Sequence, residues 1–460
     1  MRKSVAALAA VAALPIATGA FAKPALPPVP EPHFISPGDQ DVAWFDLAGS
    51  SRGDATLIWI EYAAYGHSRL WVRTKRAGGS FGRPRPLTGV HVDAVEAQAA
   101  VGEDGTQLVT WVELDRDTQS LKVASRRPDG SFAEKTLASS AKVATTIVYS
   151  TEADLEVARD GTALMVLVAG FRGRSRVLAI RRDPDGHWSK PEAVSSGKRG
   201  VRYPKVAFDG AGAATLVWER GPREFPDDGA SRVKQELRVA VRPPGGRFGR
   251  PRKLSKTGED ARDPEVAVNA RGDAAVVWNA THGRNLPGSR VGVAVRRAGG
   301  DFGPPRLITP PGESFLPRAT IGPSGELVAV WNRDRMTKKG FDCGCVAPVT
   351  AHGSVGENLG GTHRLAGRID DAVALARDPA GNAFVTWLRS GRRRDSFDNR
   401  VQGRFLGADG YVGPLVRVTP AGDHGELGAL LRSNGTALVA WVRYRKGKSR
   451  IEAVRTRVRP

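Results

Sequence analysis

A glycine followed six residues later by a tryptophan recurs along this chain, at Gly53/Trp59, Gly105/Trp111, Gly212/Trp218, Gly272/Trp278, Gly325/Trp331, Gly381/Trp387 and Gly435/Trp441. An eighth pair, Gly161/Leu167, keeps the gap and replaces the aromatic with Leu. Successive residues at the Trp position lie 51 to 60 apart. A rigid short gap nested in a longer, elastic period marks stacked copies of one unit joined by variable loops. No other property of the sequence restricts the fold as much, because each copy has to bury the same face against its neighbour.

The clearest copy, "DPEVAVNARGDAAVVWNA" from Asp263 to Ala280, is followed by "RVGVAVRRAGGDFGPPRLITP" from Arg290 to Pro310. "PEVAV" alternates and predicts an innermost strand A. Gly272 then supplies a tight reversal, which often needs φ > 0. "DAAVVW" predicts strand B. "RVGVAVRR" predicts strand C, after a loop whose length varies between copies. "PPRLIT" predicts an outer strand D, where Pro is tolerated because an edge need not donate every hydrogen bond. Val, Ile, Leu and Ala dominate these runs, as in strands covered on both faces. Eight units predict an all-β, eight-bladed β-propeller of four-stranded antiparallel blades, with a seven-bladed ring and one displaced unit as the alternative.

Ring closure is written into the two ends. The chain stops soon after "SRIEAVRTRV", a strand C with no strand D behind it. "FISPG", Phe34 to Gly38, matches "LITPPG", Leu307 to Gly312. Ile35 precedes Gly53 by eighteen residues, the distance from Leu254 to Gly272 and from Val194 to Gly212. An N-terminal strand therefore completes the last blade, which removes an exposed sheet edge and couples the termini.

A second aromatic recurs after the later turn, at Phe81, Phe132, Trp188, Phe248, Phe302 and Tyr411. One per repeat at a fixed offset reads as packing between blades rather than as a carbohydrate platform. The sixth unit departs most from the pattern and loses the "GGxFG" phrase. Cys343 and Cys345, the chain's two cysteines, lie in it. In an exported chain a small strained disulfide is the favoured reading, with free thiols or an intermolecular bridge as alternatives. His352 and His363 follow, but no established metal-ligand spacing is met, so neither a metal nor a cofactor is expected.

The first residues read as a targeting segment: basic "MRK", an apolar small-residue run, and "AFA" as a cleavage site after Ala22. The expected organisation is a signal peptide over 1–22, a Pro-rich linker over 23–33 and one propeller domain over 34–460, in a secreted, monomeric protein without a membrane anchor. Net charge is +21, mostly from Arg. That excess would suit an anionic cell-envelope polymer or an acidic glycan. Yet Arg126–Arg127, Arg181–Arg182 and Arg296–Arg297 recur with the repeat, which reads as part of a generic turn. No nucleic-acid-binding signature is present.

The turns Asp129-Gly130-Ser131-Phe132 and Asp185-Gly186-His187-Trp188, with Asp409-Gly410-Tyr411 as a relative, resemble Asp-box hairpins. Nearly all of the mature chain resembles secreted bacterial propellers with sialidase-like (BNR-type) repeats. The resemblance implies structural Asp boxes. For an active sialidase it also implies an arginine triad, a Tyr nucleophile with a Glu partner, and an Asp acid/base. This chain places the aromatic one or two residues after Gly, earlier than the family does. It lacks the Phe/Tyr-Arg-Ile-Pro opening, and "VRYPKV" around Arg202 and Tyr203 yields no arginine triad.

Side chains entering strand A converge on a channel mouth in any propeller, beneath the B–C and D–A loops. Here they are Glu96, Glu152, Asp154, Tyr203, Lys205, Asp263, Glu265, Arg318 and Glu426. Mixed charge at a concave mouth suits a polar ligand. The leading expectation is a non-catalytic propeller binding a glycan, envelope polymer or protein partner there. A sialidase-like glycoside hydrolase and a structural envelope protein held by charge are the alternatives.

Overall fold

Each strand A begins beside a central axis, and everything that positions the site follows from that. The structure is a computed structural model. It describes residues 33–459 except 37–40, 63–66, 116–117, 142–145, 148–152, 172–173, 198, 222–233, 283–287, 311, 313, 334–335, 338–339, 342–345, 358, 368, 370–372 and 390–398. Cys343, Cys345 and Glu152 lie outside the described residues.

Eight antiparallel blades carry the strands in the order A-B-C-D from the axis outward. Blade 1 is Val42–Gly49, Ala55–Tyr62, Ser68–Lys75 and Arg85–Pro86. Blade 5, the clearest copy in sequence, is Glu259–Val268, Ala274–His282, Arg290–Arg296 and Arg306–Leu307. Its strand A starts earlier than "PEVAV", and its strand D shrinks to two residues, since the flanking prolines cannot donate to the ladder. Blade 6 inserts a small hairpin, Met336–Thr337 with Gly340–Phe341, between strands B and C. That insertion accounts for the added length between its strands B and C.

Blade 8 is closed by the N-terminus. His33 and Phe34 pair with Ala453 and Glu452, and Ile35 N donates to Ile451 O at 2.8 Å. Ser36 Oγ returns the bond, accepting from Ile451 N at 2.8 Å. Strand A of blade 8 packs against strand A of blade 1. A cavity of 460 Å³ touches strand A of all eight blades, so the strands encircle one axis.

The repeat landmarks do the packing expected of them. All seven landmark Trp residues are at most 1% exposed, between neighbouring blades. Phe81, Phe132, Trp188, Phe248 and Phe302 pack half-buried against the same clusters. Tyr411 is the exception, 45% exposed. Gly272 has φ of 97° in the A–B turn, and the equivalent glycines behave alike. The recurring bases of strand C act inside the blades. Lys75 Nζ, Arg182 and Arg296 donate to the carbonyls of Gly53, Gly161 and Gly272 at 2.5, 2.8 and 3.1 Å. This part of the basic excess latches turns rather than forming a free patch.

Candidate functional site

Strand A is bent at the mouth by a repeated β-bulge. In blades 2, 4, 5, 6 and 8 the register slips where strand A passes the Trp of strand B. One residue of each bulge takes a left-handed backbone: Glu96 (φ 60°), Tyr203 (48°), Asp263 (52°), Leu316 (51°) and Glu426 (33°). None is glycine, so each stores about 1–2 kcal/mol of backbone strain. Bulges re-aim side chains, and this set sits in one ring, nine residues before each turn glycine. Four of the expected mouth residues are thus bulge residues. The sequence carries no mark of the bulge itself.

Two residues further on, a second ring faces the axis: Asp46, Gln98, Asp154, Lys205, Glu265 and Arg318, with Ala374 and Gly428 completing it. Asp46 Oδ2 accepts from Ala99 N at 2.9 Å, and Asp154 Oδ2 from Val206 N at 2.8 Å, each on the next blade. Lys205 Nζ lies 3.8 Å from Asp154, and Arg318 donates to Glu265 at 3.0 Å. Asp154 and Glu265 hold Lys205 above the usual lysine range. Burial opposes ionisation of Glu265, but Arg318 and Lys205 keep it below the usual carboxylate range. Burial pushes Asp46 and Asp154 up.

These rings open into a 630 Å³ cavity on the blade 1–3 side, with Trp44, Tyr62, Glu96 and Gln98 among its walls. Tyr62 is 66% exposed at the end of strand B. Tyr444, at the matching position of blade 8, is 40% exposed over the same rim. Sequence reasoning missed these aromatics, because only the ring places the end of one strand B beside the bulge of the next strand A. Aromatic faces beside polar acceptors can take a ligand with an apolar face and several hydroxyl or amine donors.

No protein-family model matches the chain. No curated protein matches it either. Solved structures do resemble it. A protein of unknown function from Dyadobacter fermentans is 12% identical, with 81% of this chain and 96% of that one covered and a TM-score of 0.43. A Hadza microbial sialidase is 12% identical over 84% and 82%, with a TM-score of 0.40. A polysaccharide lyase described as an ulvan lyase is 9% identical over 84% and 96%, with a TM-score of 0.46. The chain is an eight-bladed β-propeller by its own strand order.

The other half of the mouth is charged. Glu219, at the end of strand B in blade 4, is 2% exposed and accepts from Asp263 N of blade 5 at 2.7 Å. Burial, reinforced by the Asp263 charge, pushes its carboxyl up to about 8. Asp263 itself accepts from Asn279 Nδ2 at 2.6 Å. A carboxylic acid kept neutral beside a second carboxyl group is the arrangement used for proton transfer. Sequence reasoning placed Asp263 here and missed Glu219, which joins it only across the blade interface. At the far end of the channel Glu156 faces Arg377 at 3.6 Å, and burial pushes Glu156 up to about 7.

Proposed function

We propose that this chain is a secreted propeller that binds a polar, sugar-like ligand at the mouth formed by its D–A and B–C loops. The observation carrying the reading is the cavity walled by Trp44, Tyr62, Glu96 and Gln98 above the polar ring. Glu96, a strained non-glycine bulge residue in its wall, supports a role for that side chain, since strain of this kind persists where a position is over-determined. The leader over 1–22 is the basis for export. The apolar rings of Trp44 and Tyr62 would cover the C–H face of a pyranose, while the carboxylates take its hydroxyls. A glycan array at low and high salt tests this. Saturable binding that Tyr62→Ala weakens supports the reading, and binding that Tyr62→Ala leaves unchanged refutes it.

A second reading, glycoside hydrolysis, is favoured by one observation: Glu219 is held neutral beside Asp263. A general acid and a carboxylate partner are the two groups that such a reaction requires. A panel of glycosides, with Glu219→Gln as control, separates the two readings. Turnover abolished in the variant makes the protein an enzyme; its absence on every glycoside leaves the binding reading.

A further inference from the structure

The chain carries a net charge of +21, yet acids outnumber bases among the described residues that line the cavity at its mouth. The cavity on the blade 1–3 side is lined by Asp46, Glu96 and Asp154 against one base, Lys205. Across both inner rings the described residues include six acids, the same three plus Asp263, Glu265 and Glu426, against Lys205 and Arg318. Both bases already face acids, Lys205 at Asp154 and Arg318 at Glu265. A surface assembled at random from this composition would be positive. Field lines concentrate in a concave site with low-dielectric walls, so the local sign decides which ligand enters.

The walls narrow the choice further. Trp44 and Tyr62 offer ring faces, which attract a cation as well as a C–H surface. Gln98 Nε2 is committed to Ala153 O at 2.7 Å, while its shielded Oε1 has no hydrogen-bond partner among the described residues.

We propose that the mouth recognises a cationic amino sugar, a glucosamine-type glycan whose protonated amines meet Asp46, Glu96 and Asp154 while its ring faces stack on Trp44 and Tyr62. This rests on the reading of the mouth as a glycan site. It reverses the partner that the overall charge suggests, an anionic polymer. Burial makes Asp46 and Asp154 costly to ionise in the empty site, and an incoming amine offsets that cost.

The test is a fluorescence titration of the full chain at pH 6 with five probes. They are a β-1,4-linked glucosamine oligomer, its N-acetylated form, a neutral β-1,4-glucan oligomer, a uronate oligomer and an oligolysine peptide. The glucosamine oligomer should bind at least about tenfold more tightly than the acetylated and neutral forms, the scale of one well-placed charged contact. Its affinity should fall with salt, and Glu96→Gln should lower it about tenfold. The salt dependence needs no variant, so it holds if Glu96→Gln fails to fold. Neutral, acetylated or uronate oligomers binding equally well, with loss in Tyr62→Ala, would keep the mouth as a glycan site and overturn the amine assignment. Oligolysine binding more tightly than the glucosamine oligomer would overturn the sugar. Oligomer binding indifferent to Tyr62→Ala, or no binding by any probe, would overturn the mouth reading itself.

Discussion

Replacing Ile35 with Ala should loosen the whole ring. Ile35 is 6% exposed and packs in one cluster with Ile451, Trp59 and Val442, so it bridges the first and last blades. The substitution removes three carbon atoms, worth about 0.8 kcal/mol each on burial. The cavity left behind adds to that, because the surrounding Trp and Val side chains relax only in part. The expected loss is about 2–4 kcal/mol. Urea unfolding followed by tryptophan fluorescence reads it directly. Val90→Ala, at a residue 50% exposed, is the control and should stay within about 0.5 kcal/mol of wild type. Ile451→Ala removes the other half of the contact, and the double variant should cost less than the two single changes together, because the contact is lost only once. An Ile35→Ala midpoint equal to that of the control, or strict additivity with Ile451→Ala, would refute the clasp.

Other expectations follow from the same structure. Leu316→Gly should leave stability unchanged or raise it by up to about 1 kcal/mol, because Leu316 is 41% exposed at a φ of 51°; a loss above 2 kcal/mol by urea unfolding would contradict the strained bulge. Gly272→Ala should cost about 1–2 kcal/mol at its φ of 97°, where a Cβ would also meet Asp209 Oδ2 at 3.1 Å. Glu219 is raised from 4.5 to about 8, so between those pH values the unfolded chain gives up a proton that the folded chain keeps. Its contribution is therefore intact below the lower value and is lost as pH rises to the upper one. Glu219→Gln should gain on wild type by at least about 1 kcal/mol between pH 5 and pH 8, and parallel urea midpoints across that range would contradict the neutral acid.

The fold was legible because its marks are local and repeated. Gly and Trp six apart, and an unmatched strand at each end, state the blades and the clasp without reference to any long-range contact. The positions of Glu96, Tyr203, Asp263 and Glu426 at the start of strand A were legible for the same reason, since they precede each turn glycine by a fixed nine residues. What stayed hidden involves geometry between copies. Glu219 is ordinary in sequence and becomes unusual only where Asp263 of the next blade covers it. Trp44 and Tyr62 belong to strands A and B of one blade, and they share a cavity with Asp154 only after the ring has formed. The left-handed bulge is hidden because most of its residues, Glu, Tyr and Leu, are ones that seldom adopt it. The recurring bases were read in sequence as part of a generic turn, and Arg182 and Arg296 do donate to turn carbonyls.

The claim that the mouth is the ligand site is tested most directly by amide hydrogen exchange, with and without the tightest-binding oligomer at saturation. Protection should gather on strand A over 43–47, 94–98 and 153–155, around the cavity. Protection gathered instead on the opposite turns around Gly105, Gly212 and Gly272, with the bulge segments unchanged, would contradict it.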